Sequence, residues 1–163
     1  MRYLRIISGG QTGIDRAALD WALENGVPCG GWVPRGRWAE DGPVPTRYPL
    51  QETEVVDPAV RTARNVRDSD GTLVLYVGEP CGGTELTLRF ARCDTWPGGP
   101  RAMCCVSLDR EQWAAAVSRV VHWMRTNCIC TLNVAGPRES EAPGIEVMGR
   151  QFLDLCLEPG SAS

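Results

Sequence analysis

Residues 3–16 read Tyr3-Leu4-Arg5-Ile6-Ile7-Ser8-Gly9-Gly10-Gln11-Thr12-Gly13-Ile14-Asp15-Arg16, and the order of residue types in this stretch decides the fold class. A short apolar run breaks into a glycine turn and resumes as a helical pattern from Ile14. This is a strand, a turn and a helix N-terminus, a junction that aims several backbone N–H groups and the positive end of a helix dipole at one spot. A second junction follows the apolar run at 73–77, where Gly82-Gly83-Thr84-Glu85 opens another helical segment. Both turns suit a phosphate or another anion, and the polar Gln11 and Thr12 at the tip of the first have groups to offer a ligand.

Outward from these junctions, apolar runs alternate with amphipathic segments, as in successive βα units around a mostly parallel sheet. The pattern predicts strands near 3–8, 28–32, 72–77, 102–107 and 129–134, and helices near 14–25, 58–68, 83–93, 110–126 and 144–157. Asp57-Pro58 reads as a helix cap followed by a first-turn proline. The Pro- and Gly-rich interval 33–56 is long for a plain loop, so it is functional or hides an element; residues 52–56 suit a short edge strand. With that strand the sheet order becomes 3-2-1-4-5, and without it 2-1-3-4-5. Both orders set the first strand beside the one ending at Val77, at the switch point where open α/β sheets bind ligands. Both glycine turns would then face one crevice.

The 163 residues, 43% of them apolar, fit one domain over 1–157 with a flexible tail over 158–163. No apolar stretch is long enough to span a bilayer, so a cytoplasmic protein without membrane contact is expected. A net charge of −3 provides no general attraction to nucleic acid and leaves small molecules as partners. All 17 basic residues are Arg, which excludes a P-loop lysine and Schiff-base chemistry. The eight Cys lack the paired spacing of a zinc site and read as structural thiols, so no protein-ligated metal is expected. His122 is the sole His and lies mid-helix, which argues against a Ser-His-Asp or Cys-His site. Ordinary NAD binding is also disfavoured, because Ser8 replaces the first fingerprint glycine and Gly30-Gly31-Trp32-Val33 has no acid for the ribose.

Five blocks, in order, carry a resemblance: residues 7–16; Gly36-Arg37-Trp38-Ala39-Glu40-Asp41-Gly42-Pro43 with Tyr48-Pro49-Leu50; Asn65-Val66-Arg67-Asp68-Ser69-Asp70-Gly71-Thr72; Gly82-Gly83-Thr84; and Asn133-Val134-Ala135-Gly136-Pro137-Arg138-Glu139-Ser140. Over about residues 6–153 the chain resembles the molybdenum cofactor carrier family. That family belongs to a Rossmann-like superfamily shared with the lonely-guy phosphoribohydrolases, which cleave the base from a nucleoside 5′-monophosphate. The resemblance implies a Rossmann-like three-layer sandwich and a cargo of molybdenum cofactor or a nucleotide.

It also implies a phosphate held by Gly9, Gly10, Gln11, Thr12 and Gly13 together with Gly82, Gly83 and Thr84. Arg138, just past a strand end beside Gly136, is placed to reach the crevice, whereas Arg16 either forks onto the phosphate or lies on the helix surface. Glu40 and Asp41 sit in a loop that suits a lid or a subunit contact, and homo-oligomerisation is expected from the family. Asp68 and Asp70 precede the third strand, at the wrong end for the crevice. Trp32, Trp38 and Trp96 fall at strand ends or in loops, where one could stack on a purine or pterin or serve an interface. Glu85 departs from the small or apolar residue usual after Gly-Gly-Thr. Two readings follow: a binding or carrier protein for a phosphorylated heterocycle, or a nucleoside 5′-monophosphate phosphoribohydrolase, an N-glycosidase using Glu85 or Glu40.

Overall fold

In the computed structural model, which describes residues 4–157, the elements follow in the order β1 (Arg5–Ile7), α1 (Ile14–Glu24), β2 (Cys29–Gly30), β3 (Trp32–Val33), β4 (Trp38–Ala39), β5 (Gly42–Pro43), β6 (Gln51–Glu52), α2 (Pro58–Arg67), β7 (Gly71–Tyr76), α3 (Gly82–Ala91), β8 (Ala102–Ser107), α4 (Trp113–Thr126), β9 (Thr131–Ala135) and α5 (Ile145–Cys156). Residue 3 of the first expected strand and the expected tail over 158–163 lie outside the described residues. Five strands form one all-parallel sheet in the order β2-β1-β9-β7-β8. Helices flank it, giving the Rossmann-like α/β sandwich that the alternation of patterns predicts.

The two sheet faces differ in chemistry. On one, Ile6, Leu73, Leu75, Leu132 and Val134 pack against Ile14, Ala18 and Trp21 of α1, Val120 of α4, and Ile145, Phe152 and Leu153 of α5. Trp113 meets Phe152 edge to face, ring centroids 5.5 Å apart. This is the main hydrophobic core. The residues that α2 and α3 bury are largely polar instead: Thr62 and Asn65 with Val66 on α2, and Thr84 and Thr87 with Ala91 on α3. Side chains alternate along a strand, so Thr72 and its register partner Asn133 point away from Leu73 and Val134. Asn133 Nδ2 donates to Thr72 Oγ1 at 3.2 Å. The space between the sheet and the α2/α3 layer is therefore polar.

Neither strand order expected from the sequence is found. The last strand, β9, lies between β1 and β7, so the first strand does not neighbour the one ending at Tyr76. Both expectations extended the sheet outward in chain order, as sequential strands usually do. Here α4 returns the chain across β7 and inserts β9 at the centre. Leu132, Asn133 and Val134 are accordingly all buried, whereas Ala102, Met103 and Cys105 of the edge strand β8 are partly exposed.

The interval 33–56 holds missed elements. Its β6 pairs with β3 in a separate two-stranded parallel sheet, and β4 and β5 form an antiparallel hairpin. The edge strand expected near 52–56 is thus shifted to Gln51–Glu52 and does not join the main sheet. Gly31 separates β2 from β3 with φ +130, and a Cβ there would lie 2.2 Å from the Ser8 carbonyl oxygen, which only glycine permits. Leu19, Val33, Ala39, Val44, Tyr48 and Leu50 form a small second core. The Arg37 guanidinium staples this excursion, donating to the carbonyls of Val44 (2.9 Å), Pro45 (2.8 Å), Tyr48 (2.9 Å) and Leu50 (3.2 Å). The cap read at Asp57 is present, its carboxylate accepting from the Ala59 N–H at 2.9 Å. Among the described residues no helix is long and apolar enough to cross a membrane.

Candidate functional site

A cleft of about 270 Å³ opens where β1 and β9 end and α3 begins. Gly9 and Gln11 of the first turn line it, with Gly82, Gly83 and Thr84 of the second and Gly136 and Arg138 beyond β9. Residues from both turns therefore border one crevice despite the altered strand order. Gly10, Thr12, Gly13, Arg16, Glu40 and Glu85 are not among the lining residues.

The two turns differ in what they leave open. In the first, the Gln11 N–H donates to the Asp15 carboxylate at 3.2 Å, the Thr12 N–H to Gln11 Oε1 at 3.0 Å, and the Ile14 N–H to the Pro137 carbonyl at 3.3 Å, while no hydrogen bond among the described residues uses the Gly9 or Gly10 N–H. A carboxylate of the chain already occupies this helix N-terminus. In the second, Thr84 N–H and Glu85 N–H turn back to the Cys81 carbonyl, while no hydrogen bond among the described residues uses the Gly82 or Gly83 N–H. These are the orphan donors that every helix start leaves. Thr84 is 2% exposed, and its hydroxyl has no partner among the described residues. A buried unsatisfied hydroxyl is costly and rare, and this one belongs to a residue lining the cleft.

Arg61, one turn into α2, adds a cation to the same wall. Its guanidinium meets the Asp15 carboxylate at 3.0 Å, with both side chains largely buried. Its Nε is buried without a partner among the described residues. Gly9 makes room for this group, since a Cβ there would fall 1.5 Å from Arg61 Nη1. Burial pushes the Asp15 carboxyl above its usual range, and Arg61 and the Gln11 N–H draw it only partly back. At the mouth, Arg138 Nε lies 3.4 Å from Glu141 and 4.0 Å from Glu40.

Glu40 and Asp41 fasten the β4–β5 hairpin beside the cleft. Glu40 accepts from the hydroxyls of Thr12 and Ser140 and, at 3.2 Å, from the Ser140 N–H, and its own N–H donates to Gln11 Oε1 at 2.9 Å. Burial works to raise its carboxyl, but the Ser140 and Thr12 hydrogen bonds outweigh it and hold the group low. Arg16 grips Asp41 through two bonds of 2.5 and 2.8 Å and keeps that carboxyl low as well. Arg16 is thus a buried anchor of the hairpin, neither pointing into the cleft nor lying on the surface. Glu85 is exposed.

Each carboxylate lining the cleft already has a partner: Asp15 has Arg61, Asp57 caps α2, and Glu141 has Arg138. No three His, Cys, Asp or Glu among the described residues gather as a metal-ligand set. The eight cysteines are free thiols; burial raises Cys104 and Cys105 and pushes Cys156 up to about 12, so these do not ionise readily. Beside these paired carboxylates the site offers backbone donors, a hydroxyl and two guanidinium groups, donor types suited to an anion.

Sequence reading missed Asp15 and Arg61 as cleft residues, and of the three Trp it offered for stacking, Trp32, Trp38 and Trp96, only Trp38 lines the cleft. Asp15 stood inside the quoted glycine block, where a carboxylate in the first turn of a helix has an ordinary dipole explanation. For Arg61 a signal existed: Arg61, Thr62 and Asn65 share a face of α2 that must meet the sheet, and polar residues at core-facing positions imply a polar cavity.

The chain is similar to known proteins. The family described as "Circularly permutated YpsA SLOG family" matches over residues 6–157. A crystal structure of a "Putative molybdenum carrier protein" from Syntrophus aciditrophicus SB is similar at 42% identity and a TM-score of 0.89, covering 96% of each chain. No curated protein matches the chain.

Proposed function

The chain belongs to the circularly permutated YpsA SLOG family, and from that premise we propose that it binds and carries a phosphorylated heterocycle, molybdenum cofactor or a nucleotide. The phosphate sits on the Gly82 and Gly83 N–H groups and the Thr84 hydroxyl, with Arg61 and Arg138 as counter-charges. The observation that carries this reading is the Thr84 hydroxyl, buried beside two unused N–H donors and awaiting an acceptor. The name of the similar Syntrophus protein agrees with a carrier role. Within this reading Gly10, Thr12, Gly13 and Arg16 act indirectly, by holding the turn and the hairpin in place.

Binding is favoured over cleavage of an N-glycosidic bond because the cleft carboxylates are engaged by cations or a helix cap, and Glu85 faces solvent. An acid or base for the ribose would first have to give up its partner. The test is mass spectrometry of small molecules released on denaturing the freshly purified protein. A pterin, its oxidation product or an intact nucleoside monophosphate supports the reading. Ribose phosphate freed of its base moves the assignment to the hydrolase, and a protein that neither releases nor binds any phosphorylated heterocycle contradicts it.

A further inference from the structure

We propose that Trp38 is the platform on which the planar ring system of the ligand stacks, presented by the β4–β5 hairpin as a strap already fixed in place. The inference rests on the phosphate reading above and adds the second half of the ligand's recognition. Among the described residues Trp38 is the only aromatic one lining the cleft, and it is 50% exposed. It is no part of the small core beneath the hairpin, where Ala39 and Val44 are buried. A tryptophan that leaves half its large apolar surface in water gives up much of what it can contribute to folding, so its position at the cleft calls for another use.

The hairpin that carries this side chain is anchored at its backbone and its tip. Trp38 pairs with Pro43 across the strands, Glu40 is tied to Thr12 and Ser140, and Asp41 is gripped by Arg16. The ordering cost of the hairpin backbone is therefore met before the ligand arrives, which is how preorganised sites gain affinity. Ser140 lies in the turn between β9 and α5, and the nearby Glu141 reaches within 3.2 Å of a Cβ built on Gly82. The strap, the Arg138 turn and the phosphate donors of α3 thus form one connected rim. Stacking on an indole accepts any flat ring, purine or pterin, so the ligand class is a phosphate ester of a planar heterocycle.

The test uses calorimetric titration of the full chain with two probes. Guanosine 5′-monophosphate carries the 2-amino-4-oxopyrimidine edge common to guanine and pterin, and ribose 5-phosphate carries the phosphate without a ring to stack. The wild type should bind the nucleotide more tightly than the sugar phosphate. Trp38→Ala should weaken the nucleotide by about five- to a hundredfold and leave ribose 5-phosphate unchanged. Trp38→Phe, which keeps a ring, should stay within about threefold of wild type for both. Equal loss of both probes in Trp38→Ala, unchanged nucleotide affinity, or a wild type that gains nothing from the guanine overturns the stacking proposal while the phosphate reading stands. A wild type that binds neither probe contradicts the phosphate reading itself.

Discussion

Replacing Thr84 by Val keeps the shape of the side chain and removes only its hydroxyl, so the two roles of that oxygen separate cleanly. In the free protein the oxygen is buried without a partner, a state that costs about 1–3 kcal/mol. Helix propensities of Thr and Val are nearly equal, so the substitution should stabilise the ligand-free protein by up to that amount. For a domain of this size each 1 kcal/mol moves Tm by about 2–4 °C. The ligand-bound protein behaves oppositely, because a hydrogen bond to a charged phosphate is worth about 1.5–3 kcal/mol. Affinity for guanosine 5′-monophosphate should therefore fall by about ten- to a hundredfold. Differential scanning calorimetry of the free variant and calorimetric titration with the nucleotide measure the two effects. A variant that melts lower than wild type and binds equally well would refute the reasoning, since the hydroxyl would then have an ordinary structural partner.

Gly9→Ala should drive a Cβ into the Arg61 guanidinium, costing about 1–3 kcal/mol as overpacking and abolishing ribose 5-phosphate binding; thermal melts and titration check both. Glu85→Gln should leave nucleotide binding unchanged, because the side chain is exposed and outside the cleft; an altered affinity would return Glu85 to the site. The Asp15 carboxyl is raised above its ordinary 3.8 by burial. Between that value and the raised one the unfolded chain loses its proton first, so this group's contribution to stability declines as pH rises. Asp41, held low by Arg16, acts in the opposite sense: its contribution is present above the ordinary value and disappears as pH falls through the lowered one. Urea unfolding across the acid range should accordingly show a shallower loss toward acid in Asp41→Asn and a removed decline in Asp15→Asn.

Most of the fold was legible because its signals are local. The turn after Ile7 and the alternation of apolar and amphipathic runs specify βα units, and Asp57-Pro58 marks a helix start whatever surrounds it. The place of β9 was not legible, since strand order depends on where a crossover helix returns the chain and not on the composition of the strand. The excursion over 33–56 was opaque for a related reason. Its strands are two residues long, too short for periodicity to register, and the segment is tied together by side-chain contacts such as Arg37 to four of its own backbone carbonyls. At the site, the glycine blocks pointed to the end of the sheet where the cleft opens. They did not reveal that one helix start already holds a carboxylate while the other carries a buried hydroxyl without a partner among the described residues, because that depends on Asp15 folding back onto Gln11.

The account's central claim concerns which turn holds the phosphate, and a crystal structure of the chain with guanosine 5′-monophosphate tests it most directly. The account predicts phosphate oxygens within hydrogen-bond distance of the Gly82 and Gly83 N–H groups and the Thr84 hydroxyl, with the guanine against Trp38. Phosphate bound instead at Gly10 to Gly13, with Asp15 displaced from the Gln11 N–H, would contradict it.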